Sequence, residues 1–90
     1  MLKGKTQSGF EYKISDERLE NYELLEAIGE FEEKNGSVLV MPKVVNLLLG
    51  KSGAKALKDH VRAENGLVSA QKMSDEISEI FKAQKALKNS

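Results

Sequence analysis

The chain opens with a period of two. Phe10, Tyr12 and Ile14 alternate with Glu11 and Lys13, the spacing that turns one face of a strand toward a core and the other toward water. Leu2 to Thr6 supplies a partner strand, and Gln7-Ser8-Gly9 between them forms a glycine-containing turn. The spacing predicts a β-hairpin over residues 1–14. An isolated two-stranded ribbon is marginal in water, so this one must lie on helices or pair its open edge with another strand.

At Ser15 the period lengthens. A first helix starts at a Ser15 or Asp16 cap, with Ile14 and Leu19 at the two positions of a hydrophobic staple. Its inward face is expected to be Leu19, Tyr22, Leu25, Ile28 and Phe31, with Leu24 on the border. Glu20, Glu23, Glu26, Glu30 and Glu33 occupy much of the rest, and Asn35-Gly36 ends it. Val38 to Met41 reads as an extended lead-in to a second helix from Pro42 to Leu49, proline being suited to a first turn. Val44, Val45, Leu47, Leu48 and Leu49 make that helix apolar nearly all round, so it is buried or sits at an interface. Gly50 stops it. A third helix from Ser52 to Ala63 turns Ala56, Leu57 and Val61 inward and ends at Asn65-Gly66.

The fourth helix has the clearest start. Ser69 caps it, and Val68 and Met73 sit at the staple positions. Met73, Ile77, Ile80, Phe81, Gln84 and Leu87 follow as one stripe, and Lys82, Lys85 and Lys88 occupy the last turns, where the helix dipole favours cations. The expected fold is α+β, mainly α: an N-terminal hairpin (1–14) and a helical part of about four helices (15–90) in one compact domain.

Composition narrows the function classes. At 90 residues, 40% apolar and 31% charged, the chain has the make-up of one soluble globular domain. It has no cysteine, which excludes disulfides and thiolate metal sites. No apolar run approaches the roughly 20 residues that cross a bilayer, and no signal-like segment follows Met1. Net charge is zero, which argues against a dedicated nucleic-acid binder. The charges are nonetheless segregated. Residues 16–33 carry eight acidic side chains and one basic, whereas 34–62 carry six basic and one acidic. Opposite-sign helices packed beside each other, or beside a neighbouring subunit, account for that pattern.

Catalytic signatures are missing from the sequence. His60 is the one histidine; it lacks the partner spacing of a metal site and is expected on the surface or half-buried. The glycines are scattered as stops and turns and form no phosphate loop, and no serine has a nucleophile-elbow context. The expectation is a protein that is not an enzyme and holds no cofactor or metal. Helices three and four, joined by Glu64-Asn65-Gly66-Leu67-Val68, have the outline of a helix-turn-helix. A recognition helix needs base- and phosphate-reading side chains at its start, and Gln71, Lys72, Asp75 and Glu76 offer a mixed set. A small helix-turn-helix-like DNA-binding regulator is the alternative function.

Several strings, in order, give a family resemblance. They are Phe10-Glu11-Tyr12-Lys13-Ile14 leading into Asp16-Glu17-Arg18, Leu24-Leu25-Glu26-Ala27-Ile28, Val45-Asn46-Leu47-Leu48-Leu49-Gly50, His60-Val61-Arg62, Gly66-Leu67-Val68, and Met73 through Glu79-Ile80-Phe81. Across about residues 8–82 the chain resembles the small tail assembly chaperones of long-tailed, siphovirus-type phages and prophages of Gram-positive bacteria. The resemblance implies a non-catalytic protein of the bacterial host cytoplasm, left out of the mature virion. It would hold the long helical tape measure protein soluble during tail assembly, with the tail tube protein a further partner and a homo-oligomer the expected state. No nucleic-acid or membrane partner is implied. A holdase for an amphipathic helix needs exposed apolar grooves, which nominates the outward apolar positions of helices two and four as contacts: Val45, Leu48, Leu49, Ile77, Phe81 and Leu87.

Overall fold

In the computed structural model the described residues form two strands and four helices. The structure describes residues 1–34 and 39–88, of which 84–88 by backbone only. Strands β1 (Leu2–Lys5) and β2 (Glu11–Ile14) are antiparallel, with Leu2 opposite Ile14, Gly4 opposite Tyr12 and Lys5 opposite Glu11. Leu2, Tyr12 and Ile14 face inward, as the alternation requires. Gly4 is used for its lack of a side chain: the Tyr12 ring lies across it, where a Cβ would collide with the phenol. The hairpin turn closes through Thr6 N–H to the Phe10 carbonyl at 2.9 Å and Phe10 N–H to Thr6 Oγ1 at 3.1 Å.

The first expected helix is two. Helix α1 (Asp16–Leu19) starts at the expected Ser15 cap, whose hydroxyl accepts from Arg18 N–H at 3.3 Å. The chain then breaks at Glu20-Asn21, and Asn21 caps α2 (Tyr22–Glu33) by accepting from Glu23 N–H at 2.9 Å. A side-chain oxygen that competes for the backbone favours a cap over a helix interior, which explains why the restart falls at Asn21. The restart also resets the face. Leu24, Ala27 and Phe31 are buried and Ile28 is partly so, the i, i+3, i+4, i+7 set of α2 on its own. Tyr22 and Leu25, expected inward, are 71% and 49% exposed. The Asn35-Gly36 stop and Val38 of the lead-in lie outside the described residues.

The second and third expected helices are the arms of one element, α3 (Met41–Val61), bent at Gly50. Pro42 sits at its first turn as expected, with no extended segment at Met41. At φ 75°, ψ 176°, Gly50 occupies a region open essentially to glycine alone. It is buried, and the Arg18 guanidinium covers the spot where a Cβ would stand, with Nη2 2.5 Å away. The same guanidinium donates from Nη1 to the Leu47 carbonyl, one turn before the bend, at 3.3 Å. Helix α4 (Ala70–Lys88) starts at the expected Ser69 cap, which accepts from Lys72 N–H at 3.2 Å.

The bend makes α3 the hub. It packs against α1, α2, α4 and β2, and the core gathers around its two arms. Val44, Leu48 and Leu57 are fully buried with Ile14, Leu24, Ile77 and Ile80. Phe31 of α2 and Phe81 of α4 meet edge-to-face, their centroids 6.0 Å apart at 75°, the arrangement an aromatic quadrupole favours. No helix among the described residues is long and apolar enough to cross a membrane. Gly50→Ala is expected to destabilise the fold by about 1–3 kcal/mol through left-handed strain, and more as Arg18 is displaced from Leu47. Adding Arg18→Met should relieve the collision and leave the strain, a difference that urea titration of the single and double variants resolves.

Candidate functional sites

The hairpin turn is held by a buried carboxylate. Glu76 occupies the core stripe of α4, at i+3 from Met73 and i−4 from Ile80, and is 7% exposed. Its Oε1 accepts from the Thr6 hydroxyl at 2.9 Å and from the Ser8 hydroxyl at 2.6 Å. One turn further on, Glu79 Oε2 accepts the Gln7 backbone N–H at 2.7 Å. His60, near the end of α3, closes the cluster: its Nε2 lies 3.0 Å from Ser8 Oγ and its ring 5.5 Å from that of Phe10. Ser8, His60, Val61, Lys72, Asp75 and Glu76 line an open cleft of about 400 Å³ beside it.

Counting protons sets what this cluster does. An ionised carboxylate only accepts, so the Ser8 hydroxyl proton belongs to its short bond with Glu76. Ser8 Oγ is then placed to accept from the imidazole in the tautomer that carries its proton on Nε2. Nucleophilic activation needs the reverse: a bare nitrogen accepting from the hydroxyl, with the carboxylate on the other ring nitrogen. Here Glu76 Oε1 stands on the hydroxyl and 4.0 Å from the same nitrogen. Serine, histidine and glutamate clasp the hairpin turn, and no buried side-chain polar atom among the described residues lacks a partner. Nearby, the Tyr12 phenol is pushed above its ordinary value of 10 by burial first and then by the Glu79 charge.

The contact residues expected on helices two and four lie elsewhere than anticipated. Val45, Leu48, Leu49, Ile77 and Phe81 are all core residues, 0–9% exposed. The reason is the bend at Gly50, which folds α2, α4 and β2 around what would otherwise be an all-round apolar rod. The Leu87 side chain lies outside the described residues. Helix α2, by contrast, carries exposed apolar side chains on a regular face. Tyr22 and Leu25 point away from the core beside Gly29, and a Cβ on Gly29 would meet nothing within 4 Å. The sequence signal for this face was Asn21: read as a cap, it splits the long helix and turns these residues outward.

The basic side of the molecule is the second arm of α3, where Lys51, Lys55, Lys58 and Arg62 recur at spacings of four, three and four. Asp59 sits among them, bound by Lys55 at 3.1 Å and Arg62 at 3.4 Å. No group of histidine, cysteine and carboxylate side chains suited to a metal is present among the described residues. Known proteins add no guide. No protein-family model, curated protein or solved structure matches the chain.

Two measurements check this description. Glu76→Ala strands two hydroxyls at the turn and should cost about 1–3 kcal/mol, whereas Glu76→Gln keeps an acceptor and should cost less; chemical denaturation separates them. The Asp59 carboxyl is held below its ordinary value, chiefly by the Lys55 hydrogen bond and charge, with Arg62 adding to it. Its contribution is therefore present above the ordinary aspartate range and lost as pH falls through the lowered value. Stability measured against pH should lose a little of its acid slope in Asp59→Asn.

Proposed function

We propose that this chain is a non-catalytic binding protein of the tail assembly chaperone kind, which holds the helical tape measure protein soluble in the bacterial cytoplasm before a tail tube assembles around it. The observation that carries the reading is the outward face of α2. A domain that buries its other helical stripes leaves Tyr22 and Leu25 exposed side by side on a helix, and isolated exposed apolar residues are ordinary whereas clustered ones mark contacts. The family strings quoted for the sequence support the same role. So does the polar cluster at the hairpin turn, whose groups are committed to one another instead of to a reacting atom.

The contact surface in this reading is α2, and the core positions of α3 and α4 serve to support it. Co-expression with the tape measure protein of the same prophage is expected to raise that protein's soluble fraction and to yield a co-purifying complex. A tape measure protein that stays insoluble and does not co-purify sinks the proposal.

A further inference from the structure

Three features of the α2 outward face each cost stability, and among the described residues only the Glu30–Lys34 ion pair offsets any of that cost. Tyr22 and Leu25 expose apolar surface. Gly29 lies in the middle of the helix with nothing within 4 Å of a Cβ position and no positive φ, where alanine would be a better helix former. Glu23, Glu26, Glu30 and Glu33 succeed one another at three- and four-residue spacings, which sets like charges side by side. Among the described residues only Glu30 of these four has an ion pair, with Lys34 at 3.4 Å.

The apolar pair, the glycine and two of the four glutamates share one face, with Glu30 and Glu23 on its flank, about 80–100° round from Tyr22. At about 100° per residue, Tyr22, Leu25 and Gly29 fall within roughly 60° of arc, and Glu33 and Glu26 follow within about the next 40°. Taking up the proposed function, we infer that this face binds a basic amphipathic helix, which crosses α2 at Gly29 and places apolar side chains on Tyr22 and Leu25 and lysines or arginines over the glutamates. Each cost is then recovered by the same occupant. The glycine admits close approach of a second backbone, the apolar stripe is covered in the helix-in-groove manner, and the carboxylate row is neutralised. Charge selects the partner's sign, since an acidic or neutral helix with the same apolar stripe would leave the carboxylates unpaired or repelled.

The test titrates the full chain with two synthetic amphipathic helices, alike in their leucine stripe, one flanked by lysines and the other by glutamates. Calorimetry should show the lysine-flanked peptide binding at least about tenfold more tightly, with an advantage that shrinks as salt rises. Amide NMR should place the shifts at Tyr22, Leu25 and Gly29. Leu25→Asp and Gly29→Leu should each weaken binding by a similar factor, with the midpoint of thermal unfolding of Gly29→Leu unchanged or higher. The pair Glu26→Lys with Glu33→Lys should invert the peptide preference. Equal binding of both peptides, or binding indifferent to Leu25→Asp and Gly29→Leu, overturns the inference. So does a concentration-dependent shift of the same resonances without peptide that Lys55→Glu with Lys58→Glu abolishes, because a second copy would then be the occupant. Solubilisation of the tape measure protein undiminished by Leu25→Asp would remove this surface and leave the proposed function. Peptide binding without solubilisation would do the opposite.

Discussion

The bend at Gly50 is the constraint on which the rest of the structure depends. A straight helix over Met41–Val61 would present its apolar residues on a surface too long and too round for a 90-residue domain to cover. Bent, its two arms each take neighbours, and α1, α2, α4 and β2 all pack on it. The local cost of a left-handed residue inside a helix is met by two local facts: the residue is glycine, and Arg18 reaches across from α1 to donate to the Leu47 carbonyl beside the bend. A short helix of four residues thus has a purpose out of proportion to its length. It carries the cation that fits the space a side chain at position 50 would need.

The hairpin and the fourth helix could be read directly, because in each the period, the turn or cap residues and the apolar count agree. Phe10, Tyr12 and Ile14 alternate, and Ser69 opens a stripe through Met73, Ile77, Ile80 and Phe81. Gly50 was readable as an interruption but not as a bend, since a glycine ends a helix or kinks it according to what packs on both sides. The first helix misled for a physical reason. Leu19, Tyr22 and Leu25 continue one helical period across residues 20 and 21, and only the capping chemistry of Asn21 tells that the period restarts. Glu76 was equally readable in principle, as a carboxylate standing at a core position of α4. What no pattern in the chain states is the identity of its partners, which come from a turn some 70 residues earlier.

The two regions that attract functional interest are opposites in electrostatic terms. At the hairpin turn, carboxylate, hydroxyl and imidazole groups are brought together and bind one another. On α2 the carboxylates are spread along a helix with few cations near them, so that the face is unsaturated and faces outward. Buried polar groups that are fully partnered fix one arrangement of the elements that carry them. Exposed like charges set side by side instead leave a field that an opposite charge can answer. The fold thus commits its hydroxyl, imidazole and buried carboxylate groups to one another at the turn, and leaves a tyrosine, a leucine and a glycine on the open face of α2.

The clasp at Glu76 also has a consequence in time. Thr6 and Ser8 belong to the start of the chain, and the carboxylate that receives them stands in the last helix. Closing so long a loop is entropically costly and returns nothing until both ends are in place. A ribosome delivers the hairpin long before α4, so the nascent ribbon waits with its turn hydroxyls in water. The hairpin can pack on α3 before α4 arrives, but the hydrogen bonds that fasten its turn form only when the last helix docks.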